Sequence, residues 1–241
     1  MSGIFEDSAP LRAVGEASDD APGHVPLTVI EPEGPARGGI VVLHESRDFT
    51  EPFLELMRSL ALEGWVAVAP HLFHREPAHS TAEVFGDHLF TDFDATFDWL
   101  VGRGVYGDCI GVLGFDDAGT AAFLVATTRQ LGAAVSVAAP GIVEPIAEDA
   151  TALVLAAPAL QVPWLGLYGD DDPAIPPSHV DQLREAAGKA QVAALVVSYS
   201  GLAHRADEPP QVPGDGGDET LAEAILDAQR RIFDWFDSNL R

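Results

Sequence analysis

A chain of 241 residues with 47% apolar side chains has the length and apolar content for one domain around a large core. Its formal net charge of −25, with Lys189 the only lysine, repels phosphate backbones and anionic lipid surfaces, which argues against nucleic-acid and membrane-surface partners. No apolar run reaches the roughly eighteen residues of a membrane span, and a single cysteine, Cys109, excludes an internal disulfide.

In chain order, residues 1–24 carry Glu6, Asp7, Glu16, Asp19, Asp20, Pro22 and Gly23 and read as an acidic, loosely packed arm. Residues 25–241 read as one domain. No basic stretch precedes an apolar one in the arm, so no signal peptide and a cytoplasmic location are expected. Val25 to Ile30 reads as an edge strand because it holds Pro26. Gly38 to Leu43 is a buried strand ending at His44-Glu45. Glu51 to Glu63 has helical spacing, with Phe53, Leu54, Met57, Leu60 and Leu62 in register and Gly64 as the stop.

Trp65 to Ala69 is a core strand closed by Pro70, and Thr81 to Val101 is a long helix. Cys109 to Leu113 is a strand, with Cys109 expected as a buried strand residue, and Ala118 to Leu131 is the helix after it. Ala133 to Ala138 and Val162 to Tyr168 are strands; the long stretch between them, Gly141 to Gln161, is irregular or briefly helical. Pro177 to Ala187 is helical, Ala193 to Ser198 a strand, and Thr220 to Asn239 a closing amphipathic helix. Strands alternating with helices call for a doubly wound, mostly parallel sheet covered on both faces, and no gap is long enough for a cap domain.

The junction Ile110-Gly-Val-Leu-Gly-Phe-Asp116-Asp117-Ala-Gly119 carries the most chemistry. An apolar run breaks at Gly114 and small residues open a helix, the pattern of an elbow that lifts one side chain above the sheet. Asp116 stands in that lifted position. Ligands of open parallel sheets bind at the carboxyl ends of the strands, where Glu45, His71, Asp116, Asp172 and His204 fall. The order nucleophile, acid, histidine along the chain is that of the α/β-hydrolase fold, filled here by Asp116, Asp172 and His204.

The chain resembles the dienelactone hydrolase family through Val41-Val-Leu-His-Glu45, Val68-Ala-Pro-His-Leu-Phe-His-Arg75, Gly114-Phe-Asp-Asp-Ala-Gly119 and the Asp172 and His204 loops. The resemblance covers the chain from about Pro26 to its end. It implies a cap-less α/β-hydrolase acting without a cofactor, as a monomer or homodimer, on a small molecule such as an ester or lactone. The family's nucleophile is a cysteine, sometimes a serine, at the position of Asp116. Its thiol-contacting glutamate falls on Glu45 and one of its two carboxylate-binding arginines on Arg75; the other position holds Glu208. Backbone N–H groups of Asp117 and Ser46 would form the oxyanion hole, and Ser46-Arg47-Asp48 replaces the small and aromatic residues usual beside it.

A carboxylate at position 116 can attack a saturated carbon to give an alkyl ester that His204-activated water then cleaves. Acting on an ester it would form a costly anhydride, so a base role for Asp116 toward water is the other option. The bland alternative is a helix N-cap, and Asp117 also reads as a first-turn charge. Glu45, Asp116, Asp117 and Asp172 crowd together, so at least one carboxyl should be pushed up and His204 held cationic. Arg75 reads either as a substrate clamp or as a partner of Glu76 or Asp87. The spacing of His71, His74, His79 and His88 matches no zinc pattern, and no metal is expected; a hard cation held by Glu45, Asp116 and Asp172 is the weaker variant. Loss of the thiol and of the second arginine leaves open a retired hydrolase scaffold that binds a ligand or partner.

Overall fold

The computed structural model describes residues 3–12, 23–76, 85–148, 150–205 and 219–240. Eight strands form one sheet in the order β1-β2-β4-β3-β5-β6-β7-β8. They are β1 (Ile4–Pro10), β2 (His24–Ile30), β3 (Gly38–Leu43), β4 (Trp65–Pro70), β5 (Ile110–Phe115), β6 (Ala133–Val137), β7 (Trp164–Gly169) and β8 (Ala194–Tyr199). From β4 to β8 all neighbours are parallel, and β1 and β2 are antiparallel additions. Every residue of β3 to β7 is buried, which is why these strands are continuous apolar runs rather than alternating ones.

Helices α1 (Glu51–Leu62), α2 (Asp87–Gly102), α3 (Asp116–Thr128), α4 (Leu153–Ala156), α5 (Pro177–Ala187) and α6 (Glu219–Asn239) cover the sheet. Both faces are occupied. A Cβ on Gly39 would strike Leu100 of α2 at 2.7 Å, whereas one on Gly111, across the ladder from Ile40, would strike Phe236 of α6 at 2.6 Å. Among the described residues no helix is long and apolar enough to cross a membrane.

Four expectations are corrected. Residues 4–10, assigned to a loose arm, form the edge strand β1. Edge pairing uses backbone groups, so it needs no apolar alternation, and only Ala9 of β1 is buried. The Pro26 strand is therefore second in the sheet. The Pro26 carbonyl accepts from the His71 N–H at 2.9 Å just beyond the β2–β4 ladder. The missing proline N–H points the same way, where no ladder partner is needed. Cys109 closes a 3₁₀ turn (Gly107–Cys109) ahead of β5 and is partly exposed; burial and Asp108 push its thiol up. The helix expected from Thr81 begins at Asp87 within the described residues, and residues 77–84 lie outside them.

Candidate active site

Strand β5 ends at Phe115 and α3 starts at once at Asp116, whose φ of 55° is left-handed. A non-glycine residue there costs on the order of 1 kcal/mol, a strain typical of functional positions. The bend is tight because small residues permit it. A Cβ on Gly114 would sit 2.2 Å from the Ala118 carbonyl oxygen, and one on Gly119 would lie 3.1 Å from the carbonyls of Gly114 and Val137. Phe115 takes the N-cap position without a side-chain cap, and the Asp116 carboxylate turns toward Arg205 and His204. The capping role for Asp116 is thereby overturned.

The loops after β7 and β8 bring the other two expected residues to it. His204 Nδ1 lies 2.6 Å from Asp172 Oδ2, and its Nε2 lies 2.8 Å from Asp116 Oδ1. Asp172 is buried, and its Oδ1 accepts the Ala174 N–H at 2.8 Å, which fixes the carboxylate on the turn. The His204 ring is half-exposed. Asp116 Oδ1 is buried and has no partner aligned for a hydrogen bond, so its approach to Nε2 is an ion pair by proximity. Burial pulls the imidazole down, but the hydrogen bond to Asp172 and the charges of Asp116 and Asp172 outweigh it. Arg205 opposes them in part, and the net direction is up. The two carboxylates thus favour the cationic form of the ring.

Arg205 is the site residue that sequence reasoning missed. Its Nη1 donates to Asp116 Oδ2 at 2.9 Å, its guanidinium lies 4.5 Å from the Phe115 ring centroid, and its Nη2 is 3.3 Å from His44 Nε2. The one available signal was a cation directly following the histidine in an acidic cluster.

Glu45, at the end of β3, accepts the Asp117 N–H on Oε1 at 2.6 Å. Burial, then the charges of Asp117 and Asp116, push its carboxyl up to about 7, against hydrogen bonds from the Asp117 and Ala118 N–H groups. This is the raised carboxyl expected of the crowded cluster. The Ser46 N–H donates to His44 Nδ1 at 3.0 Å. Both backbone donors expected to form an oxyanion hole are thus engaged within the chain, one by Glu45 from the end of β3 and one by the His44 ring two residues away.

Two further expectations change. Arg75 is held in a two-pronged ion pair by Asp92, at 2.8 and 2.6 Å, with His74 Nε2 3.2 Å from the same carboxylate. The Asp92 side chain is fully buried and so requires a compensating cation, which Arg75 supplies. His71 turns to the sheet edge, 2.9 Å from Thr28 Oγ1 and 3.4 Å from Glu6 Oε2, and packs against Phe49. The polar partners of its ring belong to β1 and β2. Among the described residues no group of three or more His, Cys, Asp or Glu converges as a metal site; His79 and Glu208 lie outside them.

Residues 25–240 match the sequence profile of the Dienelactone hydrolase family. A protein of Salmonella typhimurium named "putative carboxymethylenebutenolidase" is 28% identical over 95% of this chain and 87% of its own length. One of the same name from Methylorubrum extorquens is 30% identical over 84% of this chain and 74% of its own. The crystal structure of a "putative dienelactone hydrolase" from Klebsiella pneumoniae superposes with a TM-score of 0.76 at 25% identity, covering 98% and 99% of the two chains. A dienelactone hydrolase from Anabaena variabilis, 18% identical with a TM-score of 0.66 over 100% and 99%, shares the fold. With an elbow at Asp116, a strand-end acid and a loop histidine on an eight-stranded α/β-hydrolase sheet, the chain belongs to the dienelactone hydrolase family.

Proposed function

We propose that the chain is a hydrolase of small esters, lactones or related electrophiles that works from Asp116, His204 and Asp172. One observation supports it above the rest: a single imidazole lies 2.6 Å from a buried carboxylate and 2.8 Å from the carboxylate on the elbow. Loss of the Nε2 proton to solvent leaves Nδ1–H held by Asp172 and a base facing Asp116. Toward a saturated carbon, an Asp116 oxygen forms the new bond and the leaving group departs with its electron pair. Water, giving its proton to His204 Nε2, then attacks the Asp116 carboxyl carbon and frees the alcohol. Toward an acyl carbon, water is the nucleophile and the His204–Asp116 pair takes its proton, which avoids an anhydride.

Single turnover in ¹⁸O-labelled water tests this. Label in Asp116 assigns it as nucleophile, and label in the product acid alone assigns it as base. Turnover undiminished in His204→Ala refutes both roles.

A second reading, a retired scaffold that binds a ligand or partner, is favoured by the engaged Asp117 and Ser46 N–H groups. Arylester hydrolysis that arises only in Asp116→Cys or Asp116→Ser would support it. Wild-type turnover lost in His204→Ala would exclude it.

A further inference from the structure

Two donors converge on the His44 ring just beyond β3, and the neutral ring can accept from only one of them. The Ser46 N–H reaches Nδ1 at 3.0 Å, and Arg205 Nη2 lies 3.3 Å from Nε2. A backbone amide and a guanidinium both act as donors there, whereas a neutral imidazole has one N–H and one bare nitrogen. Whichever nitrogen keeps the proton turns an N–H toward a donor. The doubly protonated ring would accept from neither, and would set a second positive charge 3.3 Å from the guanidinium.

Charge decides between the two tautomers. A hydrogen bond donated by a cation is roughly twice as strong as a neutral one. The opposite tautomer aims an N–H dipole at that cation instead. The Arg205 side chain is only 12% exposed, so water does little to level this contrast. The shorter Ser46 contact does not reverse it, because there only two neutral dipoles change sign. The proton therefore belongs on Nδ1, Nε2 accepts from Arg205, and the Ser46 N–H loses its acceptor on the ring.

The same guanidinium reaches the elbow. Its Nη1 donates once, at 2.9 Å, to Asp116 Oδ2, and the group lies 4.5 Å from the Phe115 ring centroid. Asp116 is 22% exposed, so a single contact there adds little stability. Its effect is directional. With Oδ2 tied to Arg205, Oδ1 is the oxygen beside His204 Nε2, at 2.8 Å.

We propose that Arg205 is a positioning residue with two tasks. It aims Asp116 at His204, and it fixes His44 as the Nδ1–H tautomer, which releases the Ser46 N–H to a substrate carbonyl oxygen. The proposal rests on the hydrolase reading above and adds to it a residue that acts through its neighbours.

Imidazole ¹³C and ¹⁵N NMR of the full chain at mildly alkaline pH reads the tautomer, with the His44 signal assigned by its loss in His44→Gln. Wild type should carry the proton on Nδ1. Arg205→Met removes both charge and donor and should move the proton to Nε2. On an uncharged arylester, kcat should fall by roughly 10–10²-fold in Arg205→Met with KM little changed, a split that general unfolding would not produce. Arg205→Lys keeps the charge without the fork and should recover only part of the loss. A wild-type proton on Nε2, an unmoved tautomer or unchanged kcat in Arg205→Met, or full recovery in Arg205→Lys overturns the proposal. If wild type turns over no ester, the hydrolase reading falls, and the NMR result alone decides for or against the hold of Arg205 on His44.

Discussion

Replacing Glu45 by Gln removes one proton site from the crowded cluster and isolates its contribution to stability. The carboxyl titrates at about 7 in the folded chain against an ordinary 4.5, chiefly because it is partly buried and then because Asp117 and Asp116 are near. A carboxyl raised in the native state binds its proton more tightly there than in the unfolded chain. The stability tied to the neutral form is therefore complete below pH 4.5 and is lost as pH rises through 7. At ~1.4 kcal/mol per pH unit the gap amounts to at most about 3.5 kcal/mol. Glu45 retains contact with solvent, and screening reduces the figure to about 1–2 kcal/mol.

Urea unfolding of wild type and Glu45→Gln at pH 4.5, 6 and 8 reads this as a difference between two curves, which cancels the many other carboxylates of an acidic chain. The variant should gain about 1–2 kcal/mol on the wild type between pH 4.5 and 8. A difference that stays constant across this range would show that Glu45 is ordinary, and would remove the crowding by Asp116 and Asp117 from the account.

Three further outcomes follow from the geometry. Gly114→Ala puts a methyl 2.2 Å from the backbone oxygen of Ala118, which cannot move aside, so the urea midpoint should fall by more than about 3 kcal/mol equivalent; an unchanged midpoint would mean that α3 does not leave β5 so closely. Asp92→Asn keeps the shape but leaves the Arg75 charge unmatched, at a cost of about 3–5 kcal/mol in denaturant unfolding. A loss below about 1 kcal/mol would show that the pair is solvated and that Arg75 can reach a ligand. His204→Ala should lower kcat/KM on an uncharged ester by roughly 10²–10⁴. Because the buried Asp172 loses its partner, stability should fall as well, by about 1–3 kcal/mol; unchanged turnover removes the imidazole from the chemistry.

Strands β3 to β7 were legible because burial on both faces writes itself into short apolar runs bounded by Gly and Pro, a signal contained within ten residues. The positions of Asp116, Asp172 and His204 followed from the same local signals, since each sits where a strand stops. Strand β1 escaped because an edge strand is held by backbone groups that every sequence possesses, and its side chains Phe5, Glu6 and Asp7 show no clear alternation. The charge pairs escaped for a different reason. Arg205 and Asp116 are 89 residues apart, Glu45 and the Asp117 N–H 72, and Arg75 and Asp92 17.

By itself the sequence determined the layered sheet, the elbow and the three residues gathered at its crest, because hydrophobic period and turn chemistry act over short stretches of chain. Only the tertiary structure decided which arginine meets which carboxylate and whether the elbow's N–H groups are open. Electrostatic partners are chosen by distance through space and by what burial leaves uncompensated, and neither quantity is written along the chain.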